Sequence, residues 1–175
     1  MKHELRLLVY FINENVEEGT GLVSALRFVF LGMMLGLFVA GCEKETTINY
    51  EATPTFISED EEFVGVEGKV GFLNGSYTAN EPQKTVWHFW GEPDEINGAV
   101  RVEGTYLETG EKYPLLLNEH SFKTATWEYN NGFTQPNLGA SKTMPSYVGF
   151  EKSGLWKVSV YIDSEKFGEF ILEVK

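Results

Sequence analysis

From Phe63 onward, apolar side chains return at every second position. Val64, Val66, Val70 and Phe72 form one set and Val100, Val102 and Tyr106 a second, with Arg101, Glu103 and Thr105 pointing the other way. Near the end of the chain, Trp156, Val158, Val160 and Ile162 alternate with Lys157, Ser159 and Asp163, and Phe170, Leu172 and Val174 alternate with Glu169, Glu173 and Lys175. A repeat of two is the repeat of a strand with one face in a core and one face in water. Asp163-Ser164-Glu165-Lys166 falls between the last two sets as a turn, so the C-terminus is expected to be a hairpin. Gly91, Pro93, Gly98, Gly110, Pro114, Gly132, Pro136, Gly139 and Pro145 cut the rest into short segments, and none carries a helical stripe. The expectation is an all-β, antiparallel sandwich of about seven to eight strands.

The N-terminal part has a different character. Val39-Ala40-Gly41-Cys42 closes an apolar run, and small residues before a cysteine at the end of such a run read as a lipobox. A signal peptidase needs small side chains at Ala40 and Gly41 to seat the extended backbone, and the Cys42 thiolate is the nucleophile that takes up a diacylglyceryl group. Two acyl chains at ~0.8 kcal/mol per buried methylene anchor a protein stably. The uninterrupted apolar run 28–40 is shorter than the ~20 residues of a membrane span, and Arg27 supplies the positive charge in front of it. Residues 22–41 are therefore read as a lipoprotein signal peptide and residues 42–62 as a lipidated tether. Residues 63–175 are then the sandwich. Residues 1–21 are read as an untranslated upstream extension. Glu17-Glu18-Gly19 is what a purine-rich ribosome-binding sequence yields when read as codons, with starts at Leu22 or Val23. The expected address is the extracytoplasmic face of a bacterial cytoplasmic membrane, with the covalent lipid on Cys42 and no other cofactor.

Charge and residue inventory exclude several classes of function. Residues 42–175 carry 22 acidic and 11 basic side chains, a balance that repels nucleic acid. Cys42 is the only cysteine, so acylation leaves no disulfide, thiolate nucleophile or cysteine-ligated metal. No His-Glu-x-x-His, Gly-x-Ser-x-Gly, P-loop or dinucleotide glycine motif is present, and no catalytic or metal-binding set is expected. The acidic run Ser58-Glu59-Asp60-Glu61-Glu62 reads as a solvated end of the tether, with a divalent cation as the sharper alternative.

Ser153-Gly154-Leu155-Trp156-Lys157-Val158 looks like the corner before strand F of immunoglobulin-like domains, with Val158 where antibody domains have a cysteine. Together with Lys69-Val70-Gly71-Phe72 and Trp87-His88-Phe89-Trp90-Gly91, it resembles an uncharacterised immunoglobulin-like family of predicted lipoproteins from Bacillus-type Gram-positive bacteria, over residues 57–175. The resemblance implies an immunoglobulin-like fold and an envelope address, and no activity.

In a strand, Trp87 and Phe89 face one way and Val86, His88 and Trp90 the other. Trp87 or Trp90 is then the core tryptophan of strand C in such sandwiches, and His88 a packed imidazole. The polar, Gly- and Pro-punctuated stretch 127–145 is long for a hairpin loop, and any binding surface is expected there. Trp90, Trp127, Tyr129 and Phe133 are the candidate surface aromatics, with Tyr106 and Tyr113 as possible neighbours. Three functions remain open. The first is a lipid-anchored interaction or ligand-binding module with an envelope protein or glycan as partner. The second is a carbohydrate-binding module, which needs an exposed aromatic platform. The third is an envelope hydrolase, which needs His88 or His120 within reach of a carboxylate and a hydroxyl.

Overall fold

The computed structural model describes residues 49–175. Twelve strands follow one another: β1 (Phe56–Ser58), β2 (Glu61–Val66), β3 (Val70–Leu73), β4 (Gln83–Phe89), β5 (Val100–Tyr106), β6 (Lys112–Pro114), β7 (Leu116–Leu117), β8 (Ala125–Thr126), β9 (Glu128–Tyr129), β10 (Lys142–Val148), β11 (Gly154–Ile162) and β12 (Glu165–Val174). They form two antiparallel sheets. One has the order β1-β2-β3-β4-β10-β7-β8; the other has the order β12-β11-β5-β6, with β9 also on β5. The seven or eight expected strands are the longer ones, and the excess consists of two- and three-residue pieces that carry no alternation to detect.

The strand order reproduces an immunoglobulin sandwich. β3-β4-β10-β7 occupies the places of strands A-B-E-D, and β12-β11-β5-β6 those of G-F-C-C′. The alternating sets close on each other: Val64, Val70, Phe72, Trp87, Phe89, Val100, Val102, Trp156, Val158, Val160, Phe170, Leu172 and Val174 share one buried core. The corner before strand F is also present, built with a tryptophan. Trp156 stands two residues before Val158, at the start of β11, and its indole N–H donates back to the Lys152 carbonyl at 2.9 Å. The Tyr106 hydroxyl donates to the next carbonyl, that of Ser153, at 3.1 Å.

Two expectations need correction. Of Trp87 and Trp90 it is Trp87 that enters the core, but it lies on β4 in the place of strand B, and β5 in the place of strand C carries no tryptophan. There, Gly104 lies under Leu115, which approaches to where a Cβ would be 2.6 Å from Leu115 Cδ2. Trp90 follows β4 and lies on the outer face. The tether is also shorter than expected. Strand pairing starts at Phe56 rather than Phe63, and Glu59 and Asp60 of the acidic run form the tight turn of the β1–β2 hairpin, both with left-handed backbones (φ 47° and 67°). Glu62 of the same run accepts from the Thr55 hydroxyl and the Asn74 amide, each at 2.6 Å. Earlier still, Thr53 is fastened to β12. Its N–H donates to the Ile171 carbonyl at 2.9 Å, and its hydroxyl accepts from the Ile171 N–H at 2.8 Å. The C-terminal hairpin has the expected turn, with Asp163 and Ser164 at positive φ.

Candidate functional site

The four candidate aromatics do not converge. Trp90 belongs to a cluster on the outer face of the larger sheet with Phe56, Phe63 and His88. Gly71 makes room for it: a Cβ there would stand 3.3 Å from the Phe56 ring, so a bare backbone lets Phe63 cross β3 and meet His88 at 4.9 Å between ring centroids. Phe133 packs edge-on to Phe89 at 5.1 Å, with the Lys142 ammonium over its ring. Trp127 is the one tryptophan with a substantially exposed ring, and the Arg101 guanidinium lies over it at 5.5 Å while also facing Tyr161. Tyr106 and Tyr113 flank Lys152 at the far end of β5.

His88 is 1% exposed. Its Nδ1 lies 3.0 Å from the Val86 carbonyl, to which it donates, and its Nε2 is buried without a partner. Burial pushes the imidazole below its ordinary range, against the opposing pull of the Val86 carbonyl. It is a packed, neutral ring. His120 lies against the Tyr147 ring at 5.5 Å. Neither histidine makes a hydrogen bond to a carboxylate or a hydroxyl among the described residues, so the arrangement that the hydrolase reading requires is not assembled there.

Tyr129 leads to a cavity. A groove of about 550 Å³ opens beside it, between β7, β8, β9 and β10. Tyr129, Tyr147, Leu117 and Pro145 provide its apolar surface, and Lys84, Asn118, Thr126, Glu128 and Asn130 its polar surface. The fold creates the groove by interrupting a sheet edge. β7 pairs only with Tyr147 and Val148 of β10, and Thr134 pairs with Thr143 further along the same side. Between them the β10 backbone has no strand beside it. The Tyr129 hydroxyl donates to the Leu117 carbonyl across this gap, which fixes the ring as one wall, and burial raises its pKa. Gly132 lets the chain pass close under Met144, where a Cβ would be 2.8 Å from Sδ. Within the stretch 127–145 singled out from the sequence, Glu128, Tyr129, Asn130, Gly132 and Pro145 line this groove; Lys84, Asn118 and Tyr147 join them from β4, the loop after β7 and β10, and share no local signal with that stretch.

The outer face of the second sheet is a lattice of ion pairs. Burial pushes the Glu103 carboxyl up, but Lys112 at 2.8 Å and Arg101 at 2.9 Å more than offset this and hold it below the ordinary range. Glu169 is likewise lowered: against burial, it accepts from Lys166 and the Ser159 hydroxyl. At the far end, Lys152, Tyr113 and Thr109 bring Glu111 down to about 2. These groups satisfy one another, which leaves little unmatched charge to attract a ligand.

No curated protein matches the chain. An X-ray structure of a putative lipoprotein from Bacillus anthracis is similar, with a TM-score of 0.60 and 24% sequence identity over 74% of this chain and 88% of that one. At that identity the likeness is one of fold. The lipidation expected at Cys42 and the recognition role expected of Val39, Ala40 and Gly41 fall outside the described residues. A family model described as a domain of unknown function, DUF4871, matches residues 43–172, and the chain accordingly belongs to the DUF4871 family.

Proposed function

We propose that this chain is a lipoprotein held by a diacylglyceryl group on Cys42 at the extracytoplasmic face of the cytoplasmic membrane. Its sandwich serves as an interaction or ligand-binding module, and the groove beside Tyr129 is its binding surface. One coincidence carries the anchoring half of this reading. The family match begins at residue 43, the position immediately after the lipobox cysteine that closes Val39-Ala40-Gly41-Cys42. The name of the Bacillus anthracis relative agrees with it. Thr53, fastened to β12, leaves only eleven residues from Cys42, which span at most ~40 Å. A domain on so short a lead works close to the bilayer.

The binding half rests on the groove, whose volume lies in the range of ligand sites. The test of anchoring is alkyne-palmitate labelling and intact mass of the full chain in a Gram-positive host, beside a Cys42→Ala form. A labelled product beginning at Cys42 is expected, and the Cys42→Ala protein should be folded and unlabelled. An unlabelled product beginning at Met1 would overturn the anchor.

A further inference from the structure

The geometry points to a neutral, hydroxyl-rich oligosaccharide as the ligand of the groove. This rests on reading the groove as the binding surface. Three observations select this ligand class over an extended peptide or a polyanion.

The first is the chemistry of the exposed β10 backbone. Thr143 exchanges hydrogen bonds with Thr134, and the Gly149 N–H donates to the Leu115 carbonyl, so the odd-numbered residues of β10 aim their backbone groups toward the groove side. Position 145 has the same parity, and it is a proline. The gap therefore presents a carbonyl without the N–H that an added strand would need. A proline at an open edge blocks strand pairing, but the carbonyl remains an acceptor for a hydroxyl.

The second is the set of side chains left available. Lys84, Glu128 and Asn130 line the groove and make no side-chain hydrogen bond or ion pair among the described residues. An ammonium, a carboxylate and a primary amide supply donors and acceptors in the mixture that ring hydroxyls require. They surround two tyrosine rings, Tyr129 and Tyr147, that can take the apolar face of a pyranose. Tyr129 is already immobilised by its bond to Leu117, so little ordering remains to be done on binding.

The third is charge. The chain carries a formal net charge of −12, and the groove holds one cation and one carboxylate, so a polyanion gains nothing on entering. A neutral ligand meets no such repulsion.

The experiment uses the full chain in phosphatidylcholine vesicles, with chito-, cello-, malto- and xylotetraose as neutral probes. A tetragalacturonate serves as the anionic probe and a Thr-Val repeat octapeptide as the strand-forming one. Saturation-transfer NMR and calorimetry read the binding. At least one neutral tetrasaccharide is expected to bind with Kd below about 1 mM. Tyr147→Ala and Asn130→Ala should each weaken it about tenfold or more, and Trp127→Ala should leave it unchanged, in proteins with unaltered thermal melts. If no neutral sugar binds but the octapeptide or the galacturonate does, with the same sensitivity to Tyr147→Ala and Asn130→Ala, the ligand class is overturned and the groove stands. A sugar whose binding ignores Tyr147→Ala and Asn130→Ala, or no probe binding at all, overturns the groove as well.

Discussion

Trp87 and Trp90 stand on the same run of chain and meet opposite fates. Trp87 turns inward and is fully buried between the sheets, where its indole N–H donates to the Ser146 hydroxyl at 3.0 Å. Trp90 turns outward and is half-buried beneath Phe56 and Phe63 of the N-terminal hairpin. The inner core closes its polar groups: the indoles of Trp87 and Trp156 both have acceptors. The outer cluster does not, since His88 Nε2 is sealed in without one. Two strands beyond β3, that same outer face opens into the groove. One face of a sheet thus holds a second, less complete apolar cluster at one end and a polar cavity at the other, while its reverse side is uniform core.

If the inner core carries the stability, Trp156→Ala should cost the most, about 4 kcal/mol, by removing a fully buried ring and the bond to Lys152. That approaches the total stability of an ordinary domain, and urea unfolding would show it. Phe63→Ala should cost less, about 3 kcal/mol, because only the outer cluster collapses. Equal losses would mean that the two regions are one cooperative core.

Acid should separate the regions further. The His88 imidazole is held below its ordinary pKa of about 6.5, so the folded state resists the proton that the unfolded state accepts. Its neutral form contributes stability in full above pH ~6.5, and this is lost progressively as pH falls below that value. His88→Phe should flatten the stability profile as pH falls below about 6.5. A mutant with the wild-type slope would show that His88 is not the group responsible. The lowered carboxylates act at lower pH. Glu103 and Glu169 add stability above the ordinary carboxylate range, and it drains away as pH falls through and below that range.

At neutral pH, Glu103→Gln should cost only about 1 kcal/mol, because the released Arg101 and Lys112 side chains are 45% and 60% exposed and regain water. Trp127→Ala should have the smallest effect, below about 1 kcal/mol, since it removes an exposed ring and one contact with Arg101. A larger loss on thermal melting would mean that β9 depends on that stack.

Much of the sandwich was legible because alternation is a local property. Each inward set, from Val64 to Val174, could be read within one strand, and the Asp163-Ser164 turn within one hairpin. The β1–β2 hairpin was not legible. Its turn, Glu59-Asp60, is acidic where turn-favouring glycine or asparagine would have marked it, and β1 is three residues long. The tryptophan of strand C was misplaced for a related reason, since a rule about which strand carries a tryptophan presupposes a strand count, and the two- and three-residue strands, β1 ahead of β4 among them, had gone uncounted.

The sequence by itself determined the period of two, the all-β class, the lipobox pattern ending at Cys42 and the acidic balance, because each depends on neighbours in the chain. Only the tertiary structure decided which aromatics are covered, that His88 is sealed without a second partner, and that Lys84, Glu128, Asn130 and Tyr147 line one groove. Those four come from β4, β9, the loop after it and β10. Their proximity is a consequence of the point where β7 stops pairing with β10, and the length of a pairing is set by the whole sheet rather than by either strand alone.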